Sequence, residues 1–137
     1  MTQEEEQLLL KTLCAMLPYG IQAQVYGHVN PLQILGITKL HKGTWAWKKG
    51  SYVVSFWNDT CSIEAIKPYL RPMSSMTEDE EIESLNFAWE DDYGRLASYN
   101  ENIPKYIDWL NSHHFDYRGL ISMGLALESP DGMYKTE

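Results

Sequence analysis

The chain lacks any run of 18 apolar residues across its 137 positions, so no transmembrane helix is expected. Its start, "MTQEEEQLLL", lacks the basic residues that open a secretory signal, which points to a cytoplasmic protein. Cysteine is scarce. Cys14 and Cys61 stand far apart with no CxxC, the pattern of two free thiols in a reducing compartment. Positive charge is also short, with 11 Lys and Arg against 19 Asp and Glu and a net charge of -8. Such a field repels phosphate, which weighs against non-specific attraction to nucleic acid or anionic membrane, and no membrane partner is expected. The sequence has no P-loop, no GxGxxG, no GxSxG and no HExxH. Cys14, Cys61 and the serines therefore lack the setting of a nucleophile, and no cofactor is expected.

What is present suits one compact domain. Hydrophobic residues make up 44% of the chain, with five Trp and nine Tyr, enough for a packed core. Three stretches follow one another: an N-terminal helix in 1–20, a β-module in 21–72, and a helical part with a tail in 73–137. The fold class expected is α+β.

Residues 3–17 read as a helix. Leu9, Leu13, Met16 and Leu17 recur at helical spacing, Thr2 caps the start, and Pro18 and Gly20 stop it. From residue 21 the period becomes two. "IQAQVYG", "LQILGITKL", "TWAWK", "SYVVSFW" and "CSIEAIK" read as five short strands with tight turns, an antiparallel meander or a small barrel-like module. Pro68 and Pro72 are expected to end the sheet pattern.

Thr77 and Glu80 form a capping-box pattern ahead of a second helix whose apolar stripe is Ile82, Leu85 and Trp89, broken at 91–94. A last helix over about 103–114 places Ile103, Tyr106, Ile107 and Leu110 on one face, with Asn102 as cap and Pro104 in the first turn. Trp89, Ile107, Leu110 and Phe115 are expected to join these helices to the β-module in one core. "GLISMGLALESPDG" reads as an extended or coiled tail with a turn at "SPDG".

The charges are unevenly laid out. Residues 21–72 hold six basic and two acidic residues, whereas 73–101 hold nine acidic residues and Arg95. Lys39, Lys42, Lys48, Lys49, Lys67 and Arg71 are interleaved with Trp45, Trp47, Tyr52, Trp57 and Tyr69. Cations tracking phosphates and rings stacking on bases is the chemistry of single-stranded nucleic-acid binding. The plainer reading, which the turn positions of Lys42, Lys48 and Lys49 favour, makes the rings core and the lysines guards of edges and turns. The acidic run at 78–83, with Glu90, Asp91 and Asp92, reads as a solvated helix face. The short linker "PYLRPMSSM" would let it lie near the lysines and mask them.

"DWLNSHHFDYRGLI" (108–121) is the other candidate. Neighbouring helical residues point about 100° apart, so His113 and His114 are poorly placed to share a metal, and no metal site is expected. The favoured reading is a helix end: histidines in the last turn, Phe115 packed, Asp116 accepting backbone bonds from "YRG", and Gly119 allowing a bend. A surface using His114, Asp116 and Arg118, for a partner or for catalysis, is the alternative.

Two passages, "IKPYLRPMSSMTEDE" (66–80) and "WLNSHHFDYRGLISMGLALE" (109–128), resemble a group of small proteins carried by phages, prophages and related mobile elements of gut Bacteroidetes-type bacteria. Passages of the form "KP.LRP.S.MT" and "H.FD..GLI..GLA" recur in that group. The resemblance implies a cytoplasmic accessory protein of a mobile element and names no chemistry. The function expected first is therefore a non-enzymatic interaction protein acting on a protein partner. Single-stranded nucleic-acid binding by the β-module comes second, and an enzyme near His114 and Asp116 third. Exposed rings on a basic sheet face would favour nucleic acid, and an exposed apolar patch without lysines a protein partner.

Overall fold

The computed structural model describes residues 1–57, 59–85 and 99–134, with 99–103 described by backbone alone. The fold is α+β: an N-terminal helix, a six-stranded, mostly antiparallel open sheet, and further helices. Helix α1 spans Gln3–Met16 and starts in a full capping box, in which Thr2 and Glu5 satisfy each other's backbone N–H groups. A single 3-10 turn, Leu17–Tyr19, ends it at Pro18 and Gly20 as expected. Its inner face buries Leu9, Leu13 and Met16 completely. Each such side chain contributes about 1.5–3 kcal/mol relative to exposure.

The strands are β1 (Gln22–Val25), β2 (Leu32–Lys39), β3 (Tyr52–Phe56), β4 (Asp59–Ser62), β5 (Ile66–Leu70) and β6 (Leu127–Glu128). Their order in the sheet is β4-β3-β2-β1-β5-β6, antiparallel except for β5 with β6. A register shift between Ile34 and Gly36 bends β2 where it leaves β1 and continues along β3. One 3-10 turn, Ile63–Ala65, carries the chain from β4 to β5. The sheet therefore curls around Ile34, Val54, Phe56, Ile63, Ile66 and Leu70, which pack against α1. No closing strand pair makes it a complete barrel among the described residues.

Three expectations about the sheet need correction. "TWAWK" is not a strand but the tip of a loop over 40–51, because the Thr44 hydroxyl accepts the N–H groups of Ala46 and Trp47. "CSIEAIK" is not one strand but the end of β4, the 3-10 turn and the start of β5. Pro68 does not end the sheet; it sits inside β5 opposite Ala23. The ladder bond from Tyr26 N–H to the Ala65 carbonyl sets the alternation along this pair. At Pro68 that alternation calls for no N–H toward β1, so the missing donor is harmless there.

Helix α2 (Glu78–Ser84) begins in the expected capping box of Thr77 and Glu80. The stripe is not as expected: Ile82 and Leu85 are exposed, and the buried residue is Glu80. Trp89, Glu90, Asp91, Asp92 and the break at 91–94 lie outside the described residues. Helix α3 spans Tyr99–Ser112, so Asn102 and Pro104 fall inside it rather than at its start. Its buried face is turned by one residue, with Trp109 and Leu110 buried and Ile107 only half-buried. Trp109, Leu110 and Phe115 form a second cluster, and Tyr117 packs against both this and the larger one.

Candidate functional site

The HHFD segment is a structural junction. His114 adopts a left-handed backbone, φ 62°, which turns the chain out of α3. Phe115 then runs parallel to Arg71: Arg71 N–H donates to the His114 carbonyl and Asp116 N–H to the Arg71 carbonyl, each at 2.8 Å. Both oxygens of Asp116 accept backbone N–H groups, from Leu120 and Ile121, the two residues that follow the "YRG" expected. Gly119, at φ 77°, makes the bend. The His114 ring is buried, and its Nε2 lies 3.1 Å from the carbonyl oxygens of Tyr19 and Gly20. Carbonyls only accept, so Nε2 carries the proton in this arrangement. Burial lowers the pKa of the ring. Arg118 lies over the Tyr117 ring and donates to the Thr12 hydroxyl. His114, Asp116 and Arg118 thus hold three different packing contacts and do not converge on one reacting position.

Arg71 is the second centre of this junction. Its guanidinium lies over the Phe115 ring at 4.3 Å and grips the carboxylate of Glu80 with two bonds of 2.6 and 2.7 Å. The pairing with Arg71 holds Glu80 down to about 2. His113 Nδ1 lies 3.3 Å from Glu80 Oε2, the oxygen that also accepts from Arg71 Nη1. The cleft beside Arg71, about 240 Å³ and lined in part by Thr77, Glu128, Asp131 and Tyr134, is smaller than a usual small-molecule site. Cys14 and Cys61 are free; burial and then Asp59 push the Cys61 thiol up, away from thiolate reactivity.

Two surfaces remain. The first is the loop over 40–51. Lys39 ends β2 with its ammonium 5.7 Å from the centre of the Tyr52 ring. Lys42, Trp45, Lys48 and Lys49 are exposed and Trp47 is half-buried. Trp45 is 100% exposed and Trp57 is exposed too, which overturns the reading as core for these two rings; Tyr52 packs against the core, and Trp47 and Tyr69 are half-buried. Lys67 lies apart from the loop, exposed on β5. Arg71 is paired with Glu80 of the acidic helix, whereas Lys39, Lys42, Lys48, Lys49 and Lys67 form no ion pair among the described residues.

The second surface was missed in the sequence. It is built where the turn after β1 meets the end of β3. The ring of His28 packs edge-on to Phe56, 5.5 Å between centroids, and so holds the 26–31 turn at the same end of the sheet as the end of β3. Tyr26 is 89% exposed, Val29 99% and Trp57 77%. The charged groups beside Tyr26 are Glu64 and Lys67, which offset each other. The signal was available in the apolar residues flanking the turn residues of "VYGHVNP", but alternation assigned Tyr26 to a strand end, and Val29 fell between two strands.

Among the described residues no helix is long and apolar enough to cross a membrane, and no group of three metal-ligating side chains occurs. Comparison with protein-family models, with curated proteins and with solved structures gives no match.

Proposed function

We propose that the protein is a non-enzymatic interaction protein that docks a protein partner on Tyr26, Val29 and Trp57. The carrying observation is the exposure of these three apolar residues at one end of the sheet, next to charges that cancel. Water-exposed tryptophan and tyrosine are the residues that most often dominate binding energy when a partner covers them. Exposed apolar side chains gathered at one end of a sheet fit a protein interaction site. The resemblance of "IKPYLRPMSSMTEDE" and "HHFDYRGLISMGLALE" to small phage and prophage proteins supports a cytoplasmic accessory role in a mobile element. The internal engagement of His114, Asp116 and Arg118 weighs against a catalytic reading of that segment.

The test is affinity capture from lysogenic or infected cells with the full chain, beside a Tyr26→Ser/Trp57→Ser variant. A protein captured by the wild type and lost from the equally folded double variant is expected. Capture that the double substitution leaves unchanged contradicts the reading.

A further inference from the structure

We propose that the 40–51 loop is a separate site for single-stranded nucleic acid, with Trp45 as stacking platform and Lys42, Lys48 and Lys49 as phosphate contacts. It uses a different surface from the protein-docking one and stands or falls independently of it.

The loop is built rather than slack. Its base is closed by Leu40 N–H to the Ser51 carbonyl and Gly50 N–H to the Leu40 carbonyl. Its tip is a tight turn: Thr44 N–H donates to the Trp47 carbonyl at 2.8 Å, and the Thr44 hydroxyl accepts from Ala46 and Trp47. Gly43 lets the two arms approach, since a Cβ there would lie 3.3 Å from the Lys49 nitrogen. This frame holds the Trp45 indole wholly in solvent, between Lys42 on one arm and Lys48 and Lys49 on the other. An indole on a turn tip offers a flat face to an unpaired base. In a duplex the base faces are already covered, so the geometry suits single strands.

The net charge of -8 does not cancel this local field. No Asp or Glu occurs between Glu6 and Asp59. The last β2 residues, 35–39, continue beyond the part of the strand paired with β1, an overhang of about 16 Å. It carries the loop away from the β1–β5 side of the sheet. Lys39, at the foot of the hairpin, lies on Tyr52, which Gln7 of α1 also reaches. It is therefore nearest to the acidic first turn of α1, and the three outer lysines carry the site.

Fluorescence anisotropy of a labelled oligo-dT with the full chain at 50 mM salt tests it. Binding is expected to weaken with salt at a log–log slope of roughly -2, for three lysine–phosphate contacts. Trp45→Ala should weaken it on the order of 5–100-fold at an unchanged melting temperature, and Trp45→Phe should restore part of the loss. Lys42→Gln/Lys48→Gln/Lys49→Gln should flatten the slope. No binding at 50 mM salt, binding that Trp45→Ala leaves intact, or a duplex bound as tightly as the single strand would each overturn the proposal. So would vesicles of phosphatidylglycerol and phosphatidylcholine binding the loop while oligo-dT does not.

Discussion

The ring of His114 lies flat on the ring of Tyr134, with centroids 3.7 Å apart and planes 7° apart. This stack ties the end of the described chain to the junction after α3. Extending the β1–β5 register by one step would pair Gln22 with Tyr69. The Tyr134 hydroxyl stands in that step instead, accepting Gln22 N–H at 2.9 Å and donating to the Tyr69 carbonyl at 2.8 Å. Burial pushes its pKa up, so it remains a phenol. The tail is therefore not an appendage. With β6 paired to β5 and Phe115 beside Arg71, it straps the edge of the sheet.

Tyr134→Phe should keep the stack and lose the bridge. Two backbone groups of β1 and β5 are left without their partner, at a cost of about 1–3 kcal/mol. Urea denaturation measures it, and an unchanged midpoint would show that water replaces the hydroxyl.

Phe115 is fully buried between Trp109 and the Arg71 guanidinium. Phe115→Ala should cost about 3–5 kcal/mol. A melting temperature equal to the wild type would remove Phe115 from the account of the second cluster.

Acid should destabilise the protein in two windows. The folded-state pKa of His114 lies below the ordinary 6.5, so the unfolded chain binds that proton more readily and stability falls as pH drops below about 6.5. Glu80 is held near 2 against an ordinary 4.5, so its contribution, at most about 3 kcal/mol, is complete above 4.5 and is lost as pH falls toward 2. His114→Asn, which tolerates the left-handed backbone, should remove the first decline, and Glu80→Gln should flatten the second. Melting temperatures of the wild type that hold constant from pH 7 to pH 5 would contradict the first window.

Much of the fold was legible where its cause is local. The Thr2 cap and the capping box of Thr77 with Glu80 are signals of a few residues, and both form, the first completed by Glu5. The alternation of "SYVVSFW" is a strand because Val54 and Phe56 reach the core. "TWAWK" alternates equally well, yet a Thr hydroxyl turns it into a loop; five residues do not separate the two outcomes. The α2 stripe failed for a different reason. Glu80 is buried by Arg71, nine residues earlier, and that partnership overrides the apolar spacing of Ile82 and Leu85. The bridge of Tyr134 to Gln22 spans 112 residues and leaves no local trace. The exposed end at Tyr26, Val29 and Trp57 was hidden because it is assembled from two turns that meet only in the folded sheet.

The most direct test of partner docking is photo-crosslinking inside the producing cells, with p-benzoylphenylalanine at Val29 and, for comparison, at Met123. Both positions are exposed, so neither substitution disturbs the core. A discrete crosslinked protein from position 29, absent from position 123 and lost when Trp57 is changed to Ser, is the predicted result. No crosslink at position 29, or the same products from both positions, would contradict the account.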